Sequence, residues 1–172
     1  MVFMDRRLWL LRHAKTTKEP PAGGGDRQRE LNAVGKADAA ELRELLESAA
    51  LGIGLPERVL FSEAVRTAST AEIVFGGLVA EWWGDSRLYG ADPDDVLRIL
   101  AELPDEISSI AIVGHNPTIH ELSLLLAAPE ANPFAERHRP GELCVLRTNS
   151  DSWSALGQGG FGVEAAWRLS RP

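Results

Sequence analysis

Arg12 and His13, Arg66, and His115 are the side chains of this chain whose types and placement could do chemistry. Two guanidiniums and two imidazoles, without a thiol, a metal-ligand set or a phosphate-cradling glycine loop beside them, describe a site for a phosphoryl group. Guanidinium matches phosphate oxygens in pairs and stabilises the charge spread over a metaphosphate-like transition state. A neutral imidazole, with an ordinary pKa of about 6.5, is available to attack phosphorus at neutral pH. A second imidazole, if partly cationic, would bind an equatorial oxygen. Taken singly, each has a plainer reading: Arg12 and His13 as a surface cap on a strand, Arg66 as a helix-surface ion pair.

The elements that must position them share one pattern. Leu8–Leu11 is an apolar run suited to a strand buried on both faces, and it stops on Arg12 and His13. Arg58–Ser62 reads as a second buried strand, followed by a helix over Ala64–Phe75 that carries Arg66 in its first turn and is expected to turn Val65, Ile73 and Val74 inward. Ser109–Val113 is a third, running into Gly114, His115, Asn116 and Pro117 before an apolar helix over Thr118–Ala128. Pro117 suits a first helical position, whose free N–H groups favour an anion. In open α/β sheets ligands bind beyond the carboxyl ends of the strands, so all three strand ends are expected along one sheet edge.

The intervening segments are plainer. Thr16–Glu30 contains Pro20, Pro21 and Gly23–Gly25 and reads as a loop able to cover the site; no GK[ST] follows the glycines, so it is no P-loop. Asn32 is an N-cap for a helix over Ala33–Ala50. Leu78–Trp83 is a weaker strand, and Asp92, Asp94 and Asp95 are ordinary first-turn acids of a helix over Asp94–Leu103. His120 reads as structural. In the loop Pro129–Pro140, Arg137, His138 and Arg139 form a basic cluster, read first as solvated and otherwise as a contact for an acidic partner surface. Glu142–Arg147 and Gly162–Ser170 are expected as closing strands, partly antiparallel, at the sheet edge.

At 172 residues, positions 1–172 fit one domain with a core that needs no disulfide or metal. The formal charge of −7, from 18 basic and 25 acidic residues without a basic stripe, argues against nucleic-acid and membrane partners. The single cysteine, Cys144, lies in an apolar run and reads as a small buried hydrophobe. Met1–Arg7 does not read as a signal peptide and no apolar run reaches membrane-spanning length, so the expectation is a cytoplasmic protein, and nothing in the sequence calls for more than a monomer.

The ordered set LRHAK at 11–15, RVLFSEAVRTASTAE at 58–72 and VGHNP at 113–117 resembles the histidine phosphatase superfamily, the phosphoglycerate-mutase-like proteins, and within it the small SixA-type phosphohistidine phosphatases. The resemblance covers roughly 8–126. It implies a three-layer α/β/α sandwich, with a mostly parallel central sheet and an antiparallel edge, and a site that uses no metal or cofactor. It implies His13 as the phosphorylated nucleophile and Arg12, Arg66 and His115 as the phosphate pocket. Asn116, beside His115, is a further candidate substrate contact. Arg29 is another, lying with Asp26 in a charged segment that small members share.

Two departures bear on substrate. Ala14 stands where larger branches carry glycine, as in the small branch. SRLYGADPDD at 86–95 offers no glutamate where larger branches place a general acid; Tyr89, Asp92 and Glu63 are the remaining candidate donors. An alkoxide leaving group needs a proton from a positioned acid, whereas imidazole leaving a phosphohistidine has a conjugate acid near neutrality. The candidate covers, 16–30 and 129–140, are short, which suits a protein-borne phosphate. The expectation is therefore a metal-independent phosphatase acting on phosphohistidine in a protein. The alternatives are a phosphomonoesterase for small phosphorylated substrates and a non-catalytic phosphate-binding module; mutase activity fits least.

Overall fold

The computed structural model describes residues 4–170, so the reading of Met1–Phe3 lies outside the described residues. Its frame is a 6-stranded sheet. The strands are β1 (Asp5–Arg12), β2 (Arg58–Ser62), β3 (Glu81–Asp85), β4 (Ser109–Gly114), β5 (Leu143–Asn149) and β6 (Gly162–Trp167). Their order is β3-β2-β4-β1-β5-β6. β1, β4, β2 and β3 pair in parallel; β5 pairs antiparallel with β1 and with β6.

The helices are α1 (Ala33–Glu47), α2 (Val65–Phe75), α3 (Pro93–Ala101) and α4 (Thr118–Leu126). Alternation along β1 explains the two faces. Leu8 and Leu10 pack with Val96, Ile99 and Leu100 of α3 and Ile119, Leu122 and Leu126 of α4. Trp9 and Leu11 pack with Ala39, Leu42 and Leu46 of α1 and Ala71, Val74 and Phe75 of α2. The result is the expected α/β/α sandwich. Leu8–Leu11 are wholly buried, each such side chain contributing roughly 1.5–3 kcal/mol. This makes the carboxyl end of β1 a rigid platform.

Several local readings hold to the residue. Asn32 caps α1 by accepting from the Gly35 N–H at 2.8 Å. Asp92 and Asp95 cap α3 reciprocally. Gly35 is needed for close approach, since a Cβ there would overlap the Lys15 carbonyl. This packs the start of α1 against the chain just past His13.

Four expectations need correction. Val65 is exposed at 38%, because the first two turns of α2 bury Arg66, Thr67 and Thr70 instead. The third strand is Glu81–Asp85, since Leu78 and Val79 are used in closing the turn after α2 by bonds to the Phe75 carbonyl. β5 is interior, flanked by β1 and β6. Pro117 precedes α4 at its capping position, and the Ile119 N–H already bonds the His115 carbonyl at 2.9 Å, so that amide is not free for an anion.

Candidate active site

The register of the sheet brings the two histidines together. Arg12 lies opposite Gly114 across the parallel β1–β4 pair, and the His13 N–H bonds the Gly114 carbonyl at 3.0 Å. His13 and His115 therefore leave neighbouring strand ends, with ring centroids 5.4 Å apart.

Hydrogen bonds fix the tautomer of His13 and orient the ring of His115. His13 Nδ1 lies 2.8 Å from the Ala14 carbonyl, which can only accept. The proton is on Nδ1, and Nε2 carries the lone pair. His115 Nε2 is 2.8 Å from Oγ of the fully buried Ser62. With the hydroxyl donating, the proton of His115 is on Nδ1, an atom that is buried without a partner.

Both rings are neutral at neutral pH. Burial pulls His13 down to about 3, and the cationic Arg12 and Arg66 add to the effect. Burial, then Arg66, brings His115 down to about 4. The condition attached to the second histidine, a partly cationic ring, is thus not met in the free site.

The arginines converge on the same place from different elements. Arg12, ending β1, donates through Nη1 to the His138 carbonyl at 2.9 Å, and Asn116 Nδ2 donates to the same oxygen at 2.9 Å. Arg66, in the first turn of α2, donates through Nη1 to the Asp26 carbonyl at 2.7 Å and through Nη2 to Asp26 Oδ2 at 2.9 Å. Arg29 faces Asp26 Oδ1 at 3.5 Å. The sequence-predicted residues His13, Arg12, Arg66, His115, Asn116 and Arg29 thus belong to one connected constellation.

Nε of Arg12, Arg29 and Arg66, Nδ1 of His115 and Oδ1 of Asn116 are all buried without a hydrogen-bond partner. Buried polar groups are normally satisfied. Guanidinium N–H groups and a ring nitrogen without hydrogen-bond partners in this constellation suit a tetrahedral oxyanion, which would satisfy them with charge-assisted bonds.

Residues that sequence reasoning missed complete the site. Thr70 Oγ1 accepts from the Ala14 N–H at 3.0 Å and donates to the Arg66 carbonyl at 2.7 Å, tying α2 to the end of β1. Ser62 fixes His115. Both lie within the quoted 58–72 stretch, but their partners are distant in sequence. Of Arg137, His138 and Arg139, read as a solvated cluster, Arg137 is exposed but His138 is 1% exposed: its ring stacks on Phe134 and Nε2 bonds the Glu142 carbonyl.

The candidate proton donors resolve differently from one another. Asp92 is used in capping α3. Glu63 sits over Gly84, where a Cβ would come 2.9 Å from its Cγ. Tyr89 approaches His115 edge-on at 5.5 Å, but its hydroxyl donates to Asp26 Oδ2 at 2.7 Å. The Asp26 carboxyl is held below the usual range, first by that hydroxyl and then by Arg66. Among the described residues no group of three His, Cys, Asp or Glu is placed to hold a metal ion, and no helix is long and apolar enough to cross a membrane.

Comparison with known proteins agrees with this fold. No family model matches the chain. An uncharacterised protein of Mycobacterium tuberculosis is 31% identical over 145 residues, 80% of this chain and 86% of that protein. One of Mycobacterium leprae is 37% identical over 76 residues, and the chain spans only 46% of its length. A solved structure from Nakamurella multipartitia, provisionally assigned as the phosphohistidine phosphatase SixA, superposes with a TM-score of 0.83 at 25% identity, covering 96% of this chain and 97% of that one. A SixA protein histidine phosphatase solved with tungstate shares the fold at a TM-score of 0.72 and 19% identity, covering 93% of this chain and 95% of that one. Fold and site together define an enzyme of the phosphatase class. The chain belongs to the histidine phosphatase superfamily, beside its SixA-like members.

Proposed function

We propose that the chain is a metal-independent phosphatase that takes the phosphoryl group of a phosphohistidine onto His13 and then releases it to water. The observation that carries this reading is the state of His13: neutral, with its proton held on Nδ1 by the Ala14 carbonyl and the Nε2 lone pair available. Arg12 and Arg66 would bind phosphoryl oxygens through their unpartnered Nε groups, and His115 through Nδ1–H. Asn116 and Arg29 would flank them.

The Nε2 lone pair attacks phosphorus, forming one P–N bond while the P–N bond of the substrate, protonated on its other ring nitrogen, breaks and its electron pair returns to the departing neutral imidazole. Water then attacks the phosphorus of the intermediate. Its P–N bond to His13 breaks, one water proton is released, and inorganic phosphate leaves with His13 restored. Pre-placed guanidiniums stabilise the charge in both steps without reorganising.

The preference for a P–N substrate rests on Asp26. It is the carboxylate in direct contact with the phosphate-site arginines, and it is held ionised, so at neutral pH it has no proton to give an alkoxide. Its side chain is 53% exposed, which agrees with an open site reached by a protein-borne phosphate. A small phosphoester substrate is the second reading, which Tyr89 would favour if its hydroxyl left Asp26. Rapid acid-free quenching during turnover tests the mechanism. The expected result is an acid-labile, alkali-stable phosphoryl label on His13; turnover without such an intermediate would overturn it.

A further inference from the structure

The loop between α4 and β5 reaches the site through one main-chain oxygen. The His138 carbonyl accepts from both Arg12 Nη1 and Asn116 Nδ2, each at 2.9 Å. It therefore joins a side chain from the end of β1 to one that follows β4. Three features hold that oxygen in place. The His138 ring is buried, stacks on Phe134 with centroids 4.3 Å apart, and donates from Nε2 to the Glu142 carbonyl at 2.7 Å. The Glu142 carboxylate, wholly buried, accepts the Arg139 N–H at 2.8 Å and the Leu169 N–H at 3.2 Å, with the Arg168 guanidinium at 3.8 Å. Gly141, at φ 85°, gives its N–H to the Arg12 and His13 carbonyls at 3.0 Å each, and the Arg12 N–H returns to the Glu142 carbonyl at 3.3 Å.

We infer that His138 and Glu142 are positioning residues of the phosphoryl pocket, acting through Arg12 and Asn116. This rests on the phosphoryl-transfer reading of the same site. A buried carboxylate is costly unless it is paired and hydrogen-bonded, and the two backbone N–H groups and the Arg168 guanidinium supply this for Glu142. The geometry so fixed is the turn whose carbonyl orients Arg12. Arg12 Nη1 is occupied by that carbonyl, so the guanidinium is rotated with Nε left for the anion. Asn116 is held by Nδ2 in the same way, leaving Oδ1 unpartnered. Misplacing a binding group by about 1 Å costs on the order of a hundredfold in rate.

The test compares wild type with His138→Phe, which retains a ring against Phe134 but removes the Nε2 donor, and with Glu142→Gln. Each is combined with Arg12→Ala. Inorganic phosphate affinity is measured by calorimetry and phosphoramidate hydrolysis by initial rates. The expected result is a loss of about tenfold or more in phosphate affinity and in kcat/KM for either single variant. That loss should be clearly smaller in the Arg12→Ala background, because one of the two side chains through which it acts is gone and only the Asn116 route remains. Equal losses in both backgrounds, or a lowered Tm with unchanged phosphate affinity, would overturn the inference and make the loop merely structural. If Glu142→Gln does not fold, His138→Phe decides alone. Phosphate binding that shows the coupling without turnover would uphold the positioning role while refuting the catalytic reading; turnover without coupling would do the reverse.

Discussion

Asp26 grips Arg66 at two points, its main-chain oxygen accepting from Nη1 at 2.7 Å and its carboxylate from Nη2 at 2.9 Å. The side chain of Arg66 is only 7% exposed and that of Asp26 53%. A negative group thus stands on the guanidinium that the phosphoryl group would use, orienting it and competing for its charge.

If competition dominates, Asp26→Asn tightens the binding of inorganic phosphate. The main-chain oxygen and one side-chain oxygen remain to orient Arg66, and only the repulsion is lost. For a half-exposed charge this is worth on the order of 1 kcal/mol, about three- to tenfold in affinity. Titration calorimetry measures it. Weaker binding would mean that the carboxylate serves chiefly to hold Arg66 in place.

Ser62→Ala removes the hydroxyl bonded to His115 Nε2, which as donor would keep the His115 proton on Nδ1. Losing one such bond costs about 1 kcal/mol, so kcat/KM on phosphoramidate should fall about five- to tenfold while circular dichroism stays unchanged. An unaltered kcat/KM would show that Ser62 does not set the tautomer.

Acid should destabilise the fold well above the carboxylate range. Burial lowers His13 to about 3 and His115 and His138 to about 4, against about 6.5 in the unfolded chain. Between those limits the unfolded state binds more protons, so stability is fully present above pH 6.5 and is lost as pH falls through the window. Each histidine contributes up to about 1.4 kcal/mol per pH unit. Tm measured from pH 7 to pH 4 should fall steeply, and less steeply in His138→Phe. A flat profile would contradict the neutral buried rings.

EDTA should leave hydrolysis unchanged, because in the proposed mechanism Arg12, Arg29 and Arg66 would meet the charge on the phosphoryl oxygens, and Asp26 is occupied by Arg66. Inactivation reversed by a divalent cation would overturn this.

The sequence is most legible where its signals are local. The run Leu8–Leu11, the strand Arg58–Ser62 and the Asn32 cap are each set by neighbours within a few residues, and each is found where expected. The first turn of α2 is misread because the usual amphipathic rule inverts at a site: Arg66 and Thr67 are buried there while Val65 faces outward. Long-range partners explain the rest. Asp26 meets Arg66 across 40 residues and Tyr89 across 63. The depth of His138 depends on Phe134 and Glu142, in a loop whose composition reads as solvated. The charge of His115 is left open by the sequence because its burial, which keeps it neutral, is tertiary.

The central claim, a histidine nucleophile serving P–N substrates, is tested most directly by one comparison. Wild type and His13→Ala are assayed on a phosphohistidine-bearing protein, on phosphoramidate and on an alkyl phosphomonoester. The account predicts that wild type turns over the P–N substrates with kcat/KM at least about a hundredfold above the alkyl ester, an alkoxide having no acid to protonate it. It also predicts that His13→Ala, with its thermal transition intact, loses this activity. Faster turnover of the alkyl ester, or full activity in His13→Ala, would contradict it.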